Sequence, residues 1–295
     1  MTARPFRLGD VVDRISGLLL TAPALCVMGG LMLYPLLQAI TLSFADWQLA
    51  GSRFIGLANY QRLFADRMFW NALTNSLFYA TWNLVAGTPL SLAVALLMNR
   101  PGLPARILRV AVFVPEILAV SVCALAWMWM FDVDYGLLNR GMIALRMISE
   151  PIPWLTSPAD ARWAIVIVNI WLGTGISAIL LLAALQNVPS EVCEAAAIDG
   201  AGAWGRFRHV TLPAIRPVLL VVVMLKLIGS FKTFDQVFIM TGGGPLHRSE
   251  TILTFLYQQG FERFDFGYAS AVGVVFLLLV STLSGMQAFL MRERA

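Results

Sequence analysis

The sequence predicts an all-α membrane protein with six transmembrane helices. Three observations carry that reading. Of its 295 residues 59% are hydrophobic and only 13% charged, the mean hydropathy is +0.75, and six apolar runs of about 20 residues or more, the length a bilayer demands, alternate with polar intervals. The runs are Ile15–Leu42, Ala72–Leu97, Leu108–Phe131, Trp163–Leu185, Val218–Met240 and Tyr268–Leu290. The chain then divides into a tail at 1–14, a six-helix domain at 15–290 with a polar loop at 190–213, and a tail at 291–295. The first run is long and lacks a small-residue cleavage site, which favours a retained span over a removable signal peptide.

Charge sets the orientation. An even number of spans puts both termini on one side, with Arg4, Arg7, Arg14, Arg100, Arg106, Arg109, Arg206, Arg208, Arg216, Arg292 and Arg294. That is eleven basic residues against six acidic ones; the other side carries eight arginines against nine acidic residues on longer loops. The positive-inside bias therefore places both termini and the 190–213 loop in the cytoplasm. A pI near 9.2 reflects this topology, and no basic patch with interleaved aromatics speaks for nucleic acid. Cys26, Cys123 and Cys193, and His209 and His247, are scattered over different spans and faces, so neither a disulfide nor a metal site is expected.

Along the chain, Pro23 and Pro35 fall in span one, where neighbours can resatisfy freed carbonyls. Phe54–Phe64, FIGLANYQRLF, has the spacing of a short amphipathic helix on the outer side, a face that could also dock an extracytoplasmic partner. Span two holds Asn75, Ser76, Thr81, Asn83 and Gly87, polar groups that must face protein or a wet path. In span three Glu116 follows Pro115, and a structural hydrogen bond at a proline kink is favoured over a substrate contact. The outer loop 132–162 predicts two short helices. Span four carries Asn169, Trp171, Thr174 and Ser177 on a partly common face, which could line a passage or bond neighbouring helices.

Span five is chemically the richest. Lys226, Ser230, Lys232, Thr233, Asp235 and Gln236 interrupt an apolar run, and an ionisable group inside a membrane is by default a functional candidate. Lys226 and Ser230 share a helical face, as do Lys232 and Gln236. Lys232 and Asp235 either bridge each other or touch a hydroxylated substrate. The candidate substrate path is thus Asn169, Trp171, Ser177, Lys226, Ser230, Lys232, Thr233 and Asp235. Met240–Pro245, MTGGGP, reads as a tight turn, because no phosphate-binding GxxxxGK[ST] occurs anywhere in the chain. Thr251–Phe261 is expected to be helical.

The remaining interval, EAAAIDGAGAWGRFRHVTLP at 194–213, is built differently. Residues 191–199 are helix formers with Ser190 available as an N-cap, Gly200 and Gly202 break the helix, and 203–210 offers a second short helix with Trp204 and Phe207 on one side before Pro213 and Pro217 open span five. The result is a helical knuckle between spans.

Those residues resemble the EAA signature of permease subunits of ABC importers: Glu194-Ala195-Ala196, three residues, Gly200, nine residues, then Val210, where isoleucine is usual, and Leu212-Pro213. The likeness extends over nearly the whole chain to the carbohydrate-uptake branch, which includes maltose and glycerol-3-phosphate importers. It rests on Phe54–Tyr60, Ala184-Leu185-Gln186 with Val188-Pro189, Phe231–Asp235, Thr241–Pro245 and Gly267–Ala271. Cys193 stands where tyrosine is common, and the large periplasmic insertion of the maltose subunit is missing. The resemblance implies the type I ABC importer permease fold and a multi-pass subunit of the bacterial inner membrane. It implies as partners a second, homologous permease subunit, an ATPase subunit dimer and an extracytoplasmic solute-binding protein, with the lipid bilayer around them. It also implies that this chain binds no cofactor, ATP and Mg belonging to the ATPase, and that the substrate is a sugar or sugar derivative, neutral or anionic. The ATPase-coupling residues would be Glu194, Ala195, Ala196, Asp199, Gly200, Ala201, Leu212 and Pro213. Two other classes compete. An ion-coupled secondary transporter would show matched broken helices in two repeats, and a membrane-embedded enzyme would need a nucleophile or metal set beside Glu116 and Asp235.

Overall fold

The computed structural model describes residues 20–48 and 51–292. The expected tail at 1–14, the start of span one at 15–19 and the last residues of the C-terminal tail lie outside the described residues. Among the described residues five helices are long and apolar enough to cross a membrane: α1 (Leu20–Leu42), α3 (Arg67–Met98), α7 (Ala161–Gln186), α9 (Ala203–Phe231) and the span Phe266–Gln287 within α12 (Phe266–Arg292). A sixth span is formed if α4 (Leu103–Ile117) and α5 (Val120–Met130) are taken together, although they meet at 110°. The shorter elements are strands β1 (Ala45–Gln48) and β2 (Gly51–Phe54) and helices α2 (Ala58–Ala65), α6 (Leu137–Ala144), α8 (Ser190–Ile198), α10 (Asp235–Met240) and α11 (Ile252–Tyr257).

Proline shapes the long helices in a repeated way. Pro35, Pro89 and Pro213 each follow, by two residues, a single π turn: Gly29–Leu33, Asn83–Gly87 and Phe207–Thr211. A proline has no N–H for the carbonyl four residues earlier, here Leu31, Val85 or His209, each in the middle of its π turn. Widening the turn moves the ladder on by one residue: Tyr34 N–H reaches Gly29 O and Leu212 N–H reaches Phe207 O. The helix therefore continues through each proline. This corrects the expected entry into span five: Pro213 does not begin a helix but lies inside α9, which is continuous from Ala203 to Phe231.

The described residues fall into two compact units, 20–48 and 51–63 with 259–274, and 64–258 with 275–292. In the first, β1 and β2 form an antiparallel hairpin with Ala45 opposite Phe54 and Gln48 opposite Gly51, a small addition to the all-helical expectation. Buried Asn59 donates to Ser43 O and Ala45 O, both at 3.0 Å. Gly267 lies against the same strand, where a Cβ would collide with the Ala45 carbonyl. Arg62 Nη1 meets Asp265 Oδ2 at 2.6 Å, and Trp47 packs edge-on against Phe266 at 5.0 Å. Residues 45–62 and 265–267, far apart in sequence, are thus knit together by the approach of Gly267 to the Ala45 carbonyl, the Trp47–Phe266 ring contact and the Arg62–Asp265 ion pair. The amphipathic helix expected in 54–64 is α2.

In the second unit α3, α7 and α9 pack around two apolar clusters. One is centred on Tyr79, Phe131, Ile165, Val168 and Val237, the other on Met98, Leu181, Leu185, Ile215 and Val222. The segment 249–252 that follows the Gly-rich turn is tied to α3 by buried bonds: Asn75 Nδ2 to Glu250 O (2.9 Å), Tyr79 OH to Ser249 O (2.9 Å) and Ile252 N to Ser76 Oγ (3.1 Å). Thr251 caps α11, the helix expected over 251–261, and a π turn at Gln258–Glu262 carries it on. Two expectations fail. Only one helix, α6, forms in the 132–162 loop, since Pro151, Pro153 and Pro158 deny a second one its donors. Span five ends at Phe231, nine residues early, because the chain turns at Lys232–Phe234 into the separate helix α10.

Asn59→Leu removes both bonds to the hairpin and leaves two buried carbonyls unpaired. We expect a loss of about 1–3 kcal/mol, read as a lower thermal midpoint of the purified protein; an unchanged midpoint contradicts the anchoring role.

Candidate functional site: a polar cavity and an exposed knuckle

Some of the polar residues of spans two to five share one cavity of about 250 Å³, lined by Asn83, Glu116, Asn169, Gly173, Ser177, Lys226, Thr233 and Gln236 together with apolar neighbours. Helical spacing accounts for the wall supplied by α7: Asn169, Gly173 and Ser177 are four residues apart and stack on one face. From α9 come Lys226 and, one turn on, Ser230, whose hydroxyl bonds the Lys226 carbonyl at 2.7 Å. Asn83 enters from the π turn of α3 and donates to Ser230 Oγ at 2.9 Å. Lys226 is 4% exposed. Its ammonium donates to Gly173 O at 2.9 Å and reaches Asn83 Oδ1 at 3.5 Å. Gly87 makes room for this network: a Cβ there would sit 2.6 Å from Asn83 Oδ1 and 3.3 Å from Lys226 Nζ. Asn169 Nδ2 donates to Thr233 Oγ1 at 3.2 Å, while its Oδ1 is buried without a hydrogen bond.

Glu116 also lines the cavity. Its Oε1 accepts the Ile176 N–H at 2.7 Å, and Gly175 is what lets it approach, since a Cβ there would meet Glu116 Oε1 at 2.6 Å and the Val112 carbonyl at 2.7 Å. The structural hydrogen bond expected for Glu116 is present, and the same side chain lines the cavity. The break in span three, however, falls beyond Pro115, at the extended residues Leu118 and Ala119.

Of the expected path residues, the structure brings Asn169, Ser177, Lys226 and Thr233 to the cavity and ties Ser230 to it. It does not bring the other three. Trp171 faces an apolar cavity of about 520 Å³ with Val94, Val112, Pro115 and Thr174, edge-on to Trp127 at 5.5 Å. Lys232 and Asp235 are exposed, and no ion pair joins them among the described residues. They sit on either side of the turn that ends α9, so the helical spacing that suggested a bridge, and a shared face for Lys232 and Gln236, does not apply. Asn83, Glu116 and Gln236 belong to the cavity but were not assigned to the path. Asn83 had the visible signal, a polar residue in mid-span six residues before a proline.

The knuckle is a second feature, described by its own geometry. No residue of α8 is buried. Its N-cap position is Pro189, not Ser190, which already has helical geometry at the first turn and makes no capping bond. It ends as glycine-terminated helices do: Gly200 takes φ +84°, its N–H bonds Ala197 O at 3.1 Å and Ala201 N–H bonds Ala196 O at 2.9 Å. Arg206 Nη1 then bonds Ala201 O at 3.2 Å, bracing the return. Ile198 is 87% and Trp204 70% exposed, and Trp204 packs on Phe207 at 5.5 Å. Glu194, Ala195, Asp199 and Gly200 are exposed, Ala196 and Ala201 half-buried. Leu212 is half-buried and Pro213 exposed on α9.

A bundle of spans around a polar cavity, with an exposed helical knuckle between two of them, has the form of a membrane transport subunit. Over residues 87–294 the chain matches the family of binding-protein-dependent transport system inner membrane components, and it belongs to that family. It is 35% identical over 284 residues to the lactose transport system permease protein of Rhizobium radiobacter, with 95% of each chain covered. It is 32% identical over 288 residues to the sulfoquinovosyl glycerol transport system permease protein of Agrobacterium fabrum, covering 97% of this chain and 93% of that one. The fold is similar to that of a subunit of a bacterial ABC transporter involved in the import of the acidic polysaccharide alginate, with TM-score 0.85, 21% identity, and 98% of this chain and 99% of that one covered. The type I importer permease fold and the multi-pass membrane character therefore stand.

Gly175→Ala drives a methyl group into Glu116. In a reconstituted transporter we expect Gly175→Ala to lower uptake at least about tenfold or to reduce folding yield, at the 1–3 kcal/mol cost typical of overpacking, and Gly141→Ala, where a Cβ meets nothing within 4 Å, to match wild type.

Proposed function

We propose that this chain is one permease subunit of an ATP-driven, binding-protein-dependent importer of a sugar or sugar derivative. It supplies half of the translocation path and takes the ATPase stroke through residues 190–213. Its partners are a second permease subunit, a pair of ATPase subunits and an extracytoplasmic solute-binding protein, with ATP and Mg held by the ATPase. Both termini and the knuckle face the cytoplasm, as the arginine distribution supports. The sugar assignment is supported by the lactose permease protein among the relatives and by the hydroxyl-matching polar groups of the cavity.

The observation that carries the mechanism is the continuity of α9. One uninterrupted helix begins at the knuckle, with Trp204, and presents Lys226 to the cavity. Twenty-two residues at 1.5 Å per residue separate the two by about 33 Å. A displacement imposed on the knuckle passes along such a helix as rigid-body movement rather than being absorbed at a loop, which is how closure of an ATPase dimer would tilt the path between inward- and outward-facing states. The exposed apolar side chains Ile198 and Trp204 suit docking into a partner's cleft. Alanines 195 and 196 allow close approach, Glu194 meets a basic group there, and Gly200 makes the bend. Asn169, Ser177, Lys226, Ser230 and Thr233 then serve the substrate path.

Gly200→Trp places a side chain at φ +84°, a strain of about 1–2 kcal/mol, and adds bulk at the docking surface; Glu194→Lys reverses a charge there. Both variants are expected to insert normally but to lose at least about tenfold in uptake while basal ATP hydrolysis persists, a factor of ten corresponding to about 1.4 kcal/mol of coupling. Wild-type uptake in either variant sinks the coupling assignment. In right-side-out vesicles, or in proteoliposomes loaded with ATP, uptake should require ATP inside and the binding protein outside; uptake driven by an ion gradient alone would establish the secondary-transport reading instead.

A further inference from the structure

The cavity holds one ammonium and one carboxylate, and both are fastened to the same helix. Lys226 Nζ donates to Gly173 O at 2.9 Å and Glu116 Oε1 accepts from Ile176 N at 2.7 Å, so the two charges stand three residues apart along α7. They do not pair with each other: no ion pair between them occurs among the described residues. Each keeps hydrogen-bonding capacity for the cavity. Lys226 has three donors and two partners, the second at 3.5 Å. Glu116 Oε2 has no hydrogen bond among the described residues, and buried Asn169 Oδ1 has none either. Gln236 adds an amide.

A hydroxyl both donates and accepts, whereas a carboxylate, sulfonate or phosphate only accepts. A ring of hydroxyls can use Lys226 as donor and Glu116 and Asn169 as acceptors at once. An anion entering the same space satisfies Lys226 but leaves Asn169 Oδ1 unanswered and faces the fixed Glu116 carboxylate in a medium that screens charge poorly. We propose that Glu116 is a charge filter that balances Lys226 and restricts the cavity to neutral polyhydroxylated solutes. The proposal rests on the reading of this cavity as part of the substrate path.

Two probes that differ only in charge at one carbon, methyl β-D-glucopyranoside and methyl β-D-glucuronide, test it. Binding is measured by saturation-transfer NMR on the assembled transporter in nanodiscs, without nucleotide and without the binding protein, whose own selectivity would otherwise intervene. We expect the glucoside to bind on the order of tenfold or more tightly than the glucuronide, as like-charge repulsion requires. Glu116→Gln keeps the acceptor for Ile176 N–H and is expected to bring the two probes to within about threefold of each other, a difference under 1 kcal/mol. Glucuronide binding equal to or tighter than glucoside binding in wild type, or a ratio unmoved by Glu116→Gln, overturns the filter while leaving the path reading intact. Failure of the glucoside to bind wild type, or glucoside binding that Asn169→Leu leaves unaltered, overturns the path reading and the filter with it.

Discussion

The second unit is arranged around a lysine that cannot reach water along its own helix. A buried ammonium in an apolar span is tolerated only if protein atoms replace its hydration. For Lys226 those atoms come from two other helices, the Gly173 carbonyl of α7 and the Asn83 amide of α3. Asn83 is in turn held by Ser230, one turn along from Lys226. This small network joins three long helices, and it requires Gly87, where a Cβ would crowd the Asn83 amide and the Lys226 ammonium. Its geometry leaves a polar space beside the lysine, so the same requirement that stabilises the bundle also makes the cavity.

The second constraint is the backbone itself. Within a membrane every carbonyl needs a donor, and prolines withhold one. At Pro35, Pro89 and Pro213 a π turn precedes the proline and the helix carries on. The turn at 83–87 also rotates Asn83 towards α9, where it meets Ser230. The turn at 207–211 keeps α9 whole from the knuckle to the cavity. A helix ending at Pro213 would leave a loop between the two, and a loop would absorb any push delivered to the knuckle.

Much of this was legible in the sequence. The apolar runs, the Gly200 bend and the Leu212-Pro213 offset are local features, and local features survive into the structure: Gly200 takes a positive φ, and the knuckle is a helix that stops there. The polar residues at four-residue spacing, Asn169 with Ser177 two turns on and Lys226 with Ser230, likewise fall on the cavity side because a helix enforces that period. The misreadings at the end of span five share one cause. Lys232, Asp235 and Gln236 were placed by helical spacing on a span taken to run to Met240, but the helix stops at Phe231. Beyond that stop the period no longer relates one side chain to the next, so only Gln236 returns to the cavity. Glu116 was given a structural hydrogen bond in preference to a substrate contact, and the structure shows both the bond to Ile176 N–H, a donor sixty residues away, and a place in the cavity wall.

The sequence by itself determined that the chain crosses a membrane several times, that a polar helical knuckle interrupts the spans and that no phosphate-binding loop is present to power transport from within. These follow from hydropathy, glycine and spacing, which act over a few residues. Tertiary structure decided which polar groups share a space. It brought Asn83, Glu116, Asn169 and Lys226 to one cavity, sent Trp171 to an apolar one and left Lys232 and Asp235 exposed. The reason is physical: the partner that satisfies a buried charge or amide lies on another helix, and the meeting of two helices is set by packing around glycines such as Gly87 and Gly175 rather than by any pattern within either one.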